Sequence, residues 1–92
     1  MGKKMRLRRK VFLAAAKSVE RDGTKFCLYG HFCIGLVRHF GPHGCNQMQF
    51  EAHERHLLTV AGAHHVGELD TWNNASAERM SKFFHRAAER AR

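Results

Sequence analysis

The sequence predicts a compact, single all-α domain of about four helices with short glycine-marked connections, and three observations carry that prediction. Apolar residues recur at helical spacing in four separate windows. Glycine stands just past the end of three of those windows, where a helix C-cap belongs. The chain has 92 residues, 43% of them hydrophobic, which is enough for one ordered domain with a modest core and too little for two.

The first helix is expected over residues 5–22, because Phe12, Ala15, Ala16 and Val19 share one face and Gly23 follows as a cap. Its other faces carry Arg6, Arg8, Arg9, Lys10, Lys17 and Arg21. Cations at a helix start oppose the macrodipole, so the first turns are expected to fray unless an anion binds there. Residues 1–4 read as a flexible basic N-terminus. Thr24 to Leu28 reads as extended. A short helix then fits Gly30 to Gly41, with Cys33, Leu36, Val37 and Phe40 on its inward stripe and Gly41-Pro42 ending it.

The third helix is expected from Gln47 to Ala61, closed by Gly62. Phe50, Leu57, Leu58 and Ala61 point inward, while Glu51, Glu54, Arg55 and two histidines, His53 and His56, point outward. His64 to Ala75 reads as a connector containing the single tryptophan, Trp72. Ser76 can cap the last helix, whose stripe is Met80, Phe83, Phe84, Ala87, Ala88 and Ala91. Arg79, Lys82, Arg86 and Arg90 lie off that stripe.

Charge is the main functional clue. The formal net charge is +8, and the excess lies in the first half. Residues 1–45 hold ten Lys or Arg against Glu20 and Asp22 alone, whereas residues 46–92 hold six cations and six acids. A one-sided basic field attracts polyanions and steers their approach. Phe26, Tyr29, His31 and Phe32 follow the basic cluster and offer flat faces on which unpaired bases can stack. An anionic membrane is the weaker partner, because the inward stripe of the first helix is mostly alanine and is needed for the core.

The stretch CLYGHFCIGLVRHFGPHGC, residues 27–45, holds all three cysteines and three of the eight histidines. Zinc prefers these ligands but usually takes them as close pairs such as C-x2-C. Here five and eleven residues separate successive cysteines, and Gly41-Pro42 breaks the helix between His39 and His43. Neither a metal nor a cofactor is therefore expected. His53-Glu54-Arg55-His56 is one residue short of the H-E-x-x-H zincin motif. No pairing of Cys with His supplies an orienting third group or an oxyanion hole, so no enzyme is expected. Three cysteines without a secretory signal point to a soluble, cytoplasmic protein, and no run reaches the roughly 20 apolar residues of a membrane span.

One pattern resembles a known group. An Ala-containing first helix, a cysteine-glycine segment, Trp72-Asn73-Asn74, Ser76-x-Glu78 and Phe83-Phe84-x-x-Ala87-Ala88 are similar to a family of small uncharacterised actinobacterial and phage proteins. That family reads C-x-x-G-A, then W-N-D, then a Ser- or Thr-capped helix with a double alanine. Asn74 stands where the family has Asp, and the register of the cysteine-glycine segment is ambiguous between Cys27-Leu28-Tyr29-Gly30 and the one-residue-shorter Cys33-Ile34-Gly35. The resemblance implies a helical fold and a phage origin, and transfers no activity.

These readings combine into a non-enzymatic binding module that docks on nucleic acid or a ribonucleoprotein. A phage-encoded blocker of a host defence complex, of the anti-CRISPR type, is one form such a module takes. Arg6, Arg8, Arg9, Lys10, Lys17 and Arg21 are the expected phosphate contacts, extended by Lys25, Tyr29 and Arg38. The competing reading is a zinc-stapled protein-interaction adaptor with no nucleic-acid contact.

Overall fold

Four α-helices form in the computed structural model, which describes residues 7–63, 69, 72 and 75–91 and, of Gln47, the backbone only. They are α1 (Arg9–Asp22), α2 (Leu28–Phe40), α3 (Gln47–Ala61) and α4 (Ala77–Arg90), with a 3-10 turn at Gly23–Lys25 between α1 and α2. No strand occurs among the described residues. The radius of gyration, 12.2 Å, matches the roughly 12 Å of a single close-packed domain of this length.

α1 is the central helix, packed against α2 on one side and α4 on the other, while α3 lies against α4 and α2. Small side chains make this possible. Val11, Phe12, Ala15, Ala16, Ser18 and Val19 of α1 are all buried. At the α1–α2 crossing, Gly35 is obligatory, because a Cβ there would lie 2.4 Å from the Val11 carbonyl oxygen and 3.2 Å from Ala15 Cβ. The core of the bundle contains Phe12, Phe32, Phe83, Phe84, Leu28, Leu36, Leu57 and Met80, each essentially inaccessible to solvent. Burying a side chain of this size contributes roughly 1.5–3 kcal/mol.

The bounds of the third and fourth helices follow the sequence, although on α3 the expected inward Ala61 is exposed. α3 has the expected bounds, with Asn46 capping the Gln49 amide and Gly62 in the left-handed conformation at its end. α4 is capped by Ser76 and buries Met80, Phe83, Phe84, Ala87 and Ala88, as its pattern demands. Trp72, half-buried, stacks on Phe83 at 4.6 Å between ring centroids. Its neighbours Asn73 and Asn74 lie outside the described residues.

Three expectations are corrected. α1 starts at Arg9, because Arg8 is extended and Leu7 precedes it outside the helix. Thr24 to Leu28 is not a strand: the 3-10 turn takes its first half and α2 already begins at Leu28. The inward stripe of α2 is rotated from the apolar pattern, and its buried residues are Leu28, His31, Phe32, Gly35 and Leu36. Val37 is therefore 38% exposed. The close glycine contact at Gly35 and the buried His31, rather than apolar content, set which face turns inward.

Histidines bind the helices to one another. His31 Nε2–H donates to the Gly23 carbonyl at 2.8 Å, and its Nδ1 accepts from Ser18 Oγ at 2.8 Å. That tautomer ties the C-terminal end of α1 to α2. His56 Nε2–H donates to the Ala87 carbonyl at 2.8 Å, linking α3 to α4. His53, expected at the surface, is wholly buried. Its Nδ1–H donates to the Gln49 carbonyl at 2.8 Å, which leaves Nε2 to accept the Arg8 amide at 2.9 Å. An imidazole of α3 thus performs the N-capping that no side chain of the α1 terminus performs.

Candidate nucleic-acid interface

The cations of α1 fall on its solvent side because the other side is wholly taken by the core. Lys10, Lys17 and Arg21 are spaced by seven and four residues, so they run along one exposed strip with a rise of about 1.5 Å per residue. α2 crosses beside this strip and brings Arg38 to it. The result is an open groove of about 540 Å³, lined by Lys10, Lys17 and Arg38 over a floor of Leu13 and Ala14, with Glu20 and His85 closing one end.

Three features favour an anion here. No carboxylate among the described residues pairs with Lys10, Lys17 or Arg38. Glu20, the one acid of the groove, is instead held by α4, through His85 Nε2 at 3.3 Å and Ser81 Oγ at 3.4 Å. Finally, α1 has no acidic residue in its first turn, and its N-cap residue is Arg8, so the positive helix end is uncompensated. The field extends to the end of α2, where the pKa of His39 is lowered by partial desolvation and then by the charges of Arg8 and Lys10.

The expected contact residues are divided by the fold. Lys10, Lys17 and Arg38 converge, and Arg8 and Arg9 are exposed at the adjoining start of α1. Arg6 lies outside the described residues. Arg21 continues the strip but pairs with Asp22 at 3.2 Å. Lys25 sits past the far end of α1, 5.8 Å above the ring of Phe26. Tyr29 does not belong to this surface: its hydroxyl donates to Glu54 at 2.8 Å and its ring stacks on Phe50, so it joins α2 to α3. Two of the expected stacking faces are likewise absent, because His31 and Phe32 are buried. Phe26, 38% exposed, is the aromatic of that group open to solvent.

A second basic cluster was not foreseen as a site. Arg79, Lys82 and Arg86 of α4 line a smaller hollow of about 300 Å³ with Trp72, Val60 and Ala61. Arg79 lies over the indole at 4.4 Å from its centroid. The spacing of 79, 82, 86 and 90 marks a single stripe in the sequence, but only the fold adds Trp72 to it. Lys82 is partly neutralised by Glu78 at 3.1 Å, so this cluster is weaker than the groove.

Among the described residues, no three His, Cys, Asp or Glu side chains converge as metal ligands would, and no helix is long and apolar enough to cross a membrane. No family model, curated protein or solved structure matches the chain.

Proposed function

We propose that this chain is a non-catalytic module that docks on the phosphate backbone of a nucleic acid, free or within a ribonucleoprotein, through the groove between α1 and α2. The observation that carries this reading is the convergence of Lys10, Lys17 and Arg38 from two helices, none of them ion-paired with a carboxylate among the described residues, while Glu20 at the groove's end is engaged by His85 and Ser81. A solvated charged face normally intersperses acids among its cations. The uncompensated start of α1 adds to it, since a phosphate there supplies the negative charge that the helix lacks. The Glu20–His85 pair at one end of the groove is exposed to solvent and carries no nucleophile beside it, so the reading is occupation of a surface and not catalysis. Blocking of an RNA-guided defence complex is one such use.

Fluorescence anisotropy with single-stranded RNA, duplex DNA and a guide-loaded defence complex, each over a salt series, tests the proposal. Affinity is expected to fall linearly with log salt for at least one of these probes. Replacing Lys10, Lys17 and Arg38 together by Gln should lower the salt slope by about one for each contact removed. The control triple Arg55→Gln, Arg79→Gln, Arg90→Gln removes the same charge elsewhere and should cause a smaller loss. Equal losses in the two triples would show that net charge alone acts, and absence of binding to every probe would overturn the proposal.

A further inference from the structure

We propose that Cys33 and Cys45 form a closable dithiol, a site of reversible oxidation that becomes a disulfide by exchange with a small-molecule disulfide of the glutathione type. Cys33 lies on α2 and Cys45 in the connection between α2 and α3, twelve residues on, and their Sγ atoms stand 3.1 Å apart. A disulfide bond is about 2.05 Å long, so closure requires an approach of roughly 1 Å.

The connection is held where this pairing needs it. Gly44 is buried flat against α2, and a Cβ on it would lie 2.2 Å from the Leu36 carbonyl oxygen. Its amide donates to the Gly41 carbonyl at 2.8 Å, and Asn46, directly after Cys45, caps α3. Cys45 is thus fixed from both sides. Cys27, the third thiol, is exposed at the start of α2 and packs over Gly30.

The two sulfurs are suited to different steps. Exposed Cys45, as thiolate, attacks one sulfur of the small disulfide RSSR; the S–S bond breaks, RS⁻ leaves and takes a proton, and Cys45 carries a mixed disulfide. Cys33 begins as a poor nucleophile, its pKa pushed up to about 12 by burial first, then by the hydrogen bond and charge of Cys45, with Cys27 contributing least. Capping Cys45 removes both of its contributions. Cys33 then gives its proton to solvent, attacks Cys45 Sγ and expels the second RS⁻. In sum, two protein thiols are oxidised to one disulfide and one RSSR is reduced to two RSH, with the two protons ending on the released thiols.

The test is incubation of the full chain in glutathione buffers of increasing oxidised fraction, followed by acid quench, alkylation and peptide mapping by mass spectrometry. The expected product is a Cys33–Cys45 linked peptide with Cys27 alkylated, reverting on reduction and melting about 10 °C higher than the reduced form. Cys27→Ser should leave the linkage unchanged, and exposed Cys45→Ser should abolish it. Phenylarsine oxide, which bridges adjacent thiols, should bind the reduced chain one to one and fail to bind Cys45→Ser. A linkage through Cys27, a persistent mixed disulfide on Cys45, or free thiols even at the most oxidising ratio would each overturn the proposal, as would the lack of an arsenical adduct.

Discussion

α1 and α4 are each fourteen residues long and each buries one face in the same core, yet their ends are finished in opposite ways. α4 obeys local rules throughout. Ser76 caps its first turn, Glu78 supplies the acid there, Lys82 pairs with Glu78 one turn on, and Arg90 stands at the negative end. α1 breaks the rules at its start, where Arg8, Arg9 and Lys10 crowd the positive pole and no side chain of the terminus caps it. Its first amide is instead met by His53 of α3, and its last turn is tied by His31 of α2 to the Gly23 carbonyl. A helix that forgoes local stabilisation at one end depends on the rest of the fold to hold that end. In α1 that end is the cationic one, next to the groove.

The contrast can be broken by substitution, and the largest effect is expected where α1 depends most on its neighbour. Gly35→Ala forces a Cβ into the Val11 carbonyl and should destabilise by about 3 kcal/mol or more in urea unfolding, whereas among the described residues α4 has no comparable contact with a glycine. Next in size, His53→Ala removes a buried ring and leaves the Arg8 amide unmet, and a loss of about 2–3 kcal/mol is expected. Ser76→Ala, the corresponding change at α4, should cost only about 1 kcal/mol. Equal losses at His53 and Ser76 would refute the claim that the two caps differ in kind. The smallest effect belongs to the exposed Glu78–Lys82 pair, where Glu78→Gln should cost about 0.3–0.5 kcal/mol in low salt.

A pH titration sharpens the same comparison. His53 is held below its usual pKa of 6.5, by burial first, with the charges of His56, His39 and Arg8 adding to it. Because its folded value is depressed, the unfolded chain takes up a proton at a higher pH than the folded chain does. The stability from neutral His53 is therefore complete above about pH 6.5 and drains away as pH falls below it. His39 is depressed as well and contributes with the same sign. Thermal melts should show this acid sensitivity, and His53→Gln, which keeps a donor and an acceptor but cannot be protonated, should flatten it.

Legibility in the sequence follows the same division. α4 could be read from its cap to its last alanine because every residue that shapes it is within one turn of another. α3 was read with correct bounds, since Asn46 and Gly62 are local signals, but its buried face was not, because a histidine with both nitrogens satisfied looks polar until its partners are known. The turn of α2 was misjudged for the same reason: Gly35 and His31 face inward through a backbone contact and two hydrogen bonds that apolar counting does not register. Among the site residues, the cations of α1 were visible as a charge run. Their convergence with Arg38 depends on how closely α2 crosses α1. Tyr29 was assigned to the surface because its partners, Phe50 and Glu54, are more than twenty residues away.

The His53 cap also sets an order of events. It joins two residues separated by 45 positions, so at synthesis rates of about 5–20 residues per second the ribosome completes Arg8 roughly two to nine seconds before His53. Throughout that interval the first turn of α1 cannot receive the His53 cap. α4 carries its own starting signal in Ser76 and waits for no distant residue to cap it. Of these four helices α1 waits for α3 to complete its cap, while α4 carries its own in Ser76.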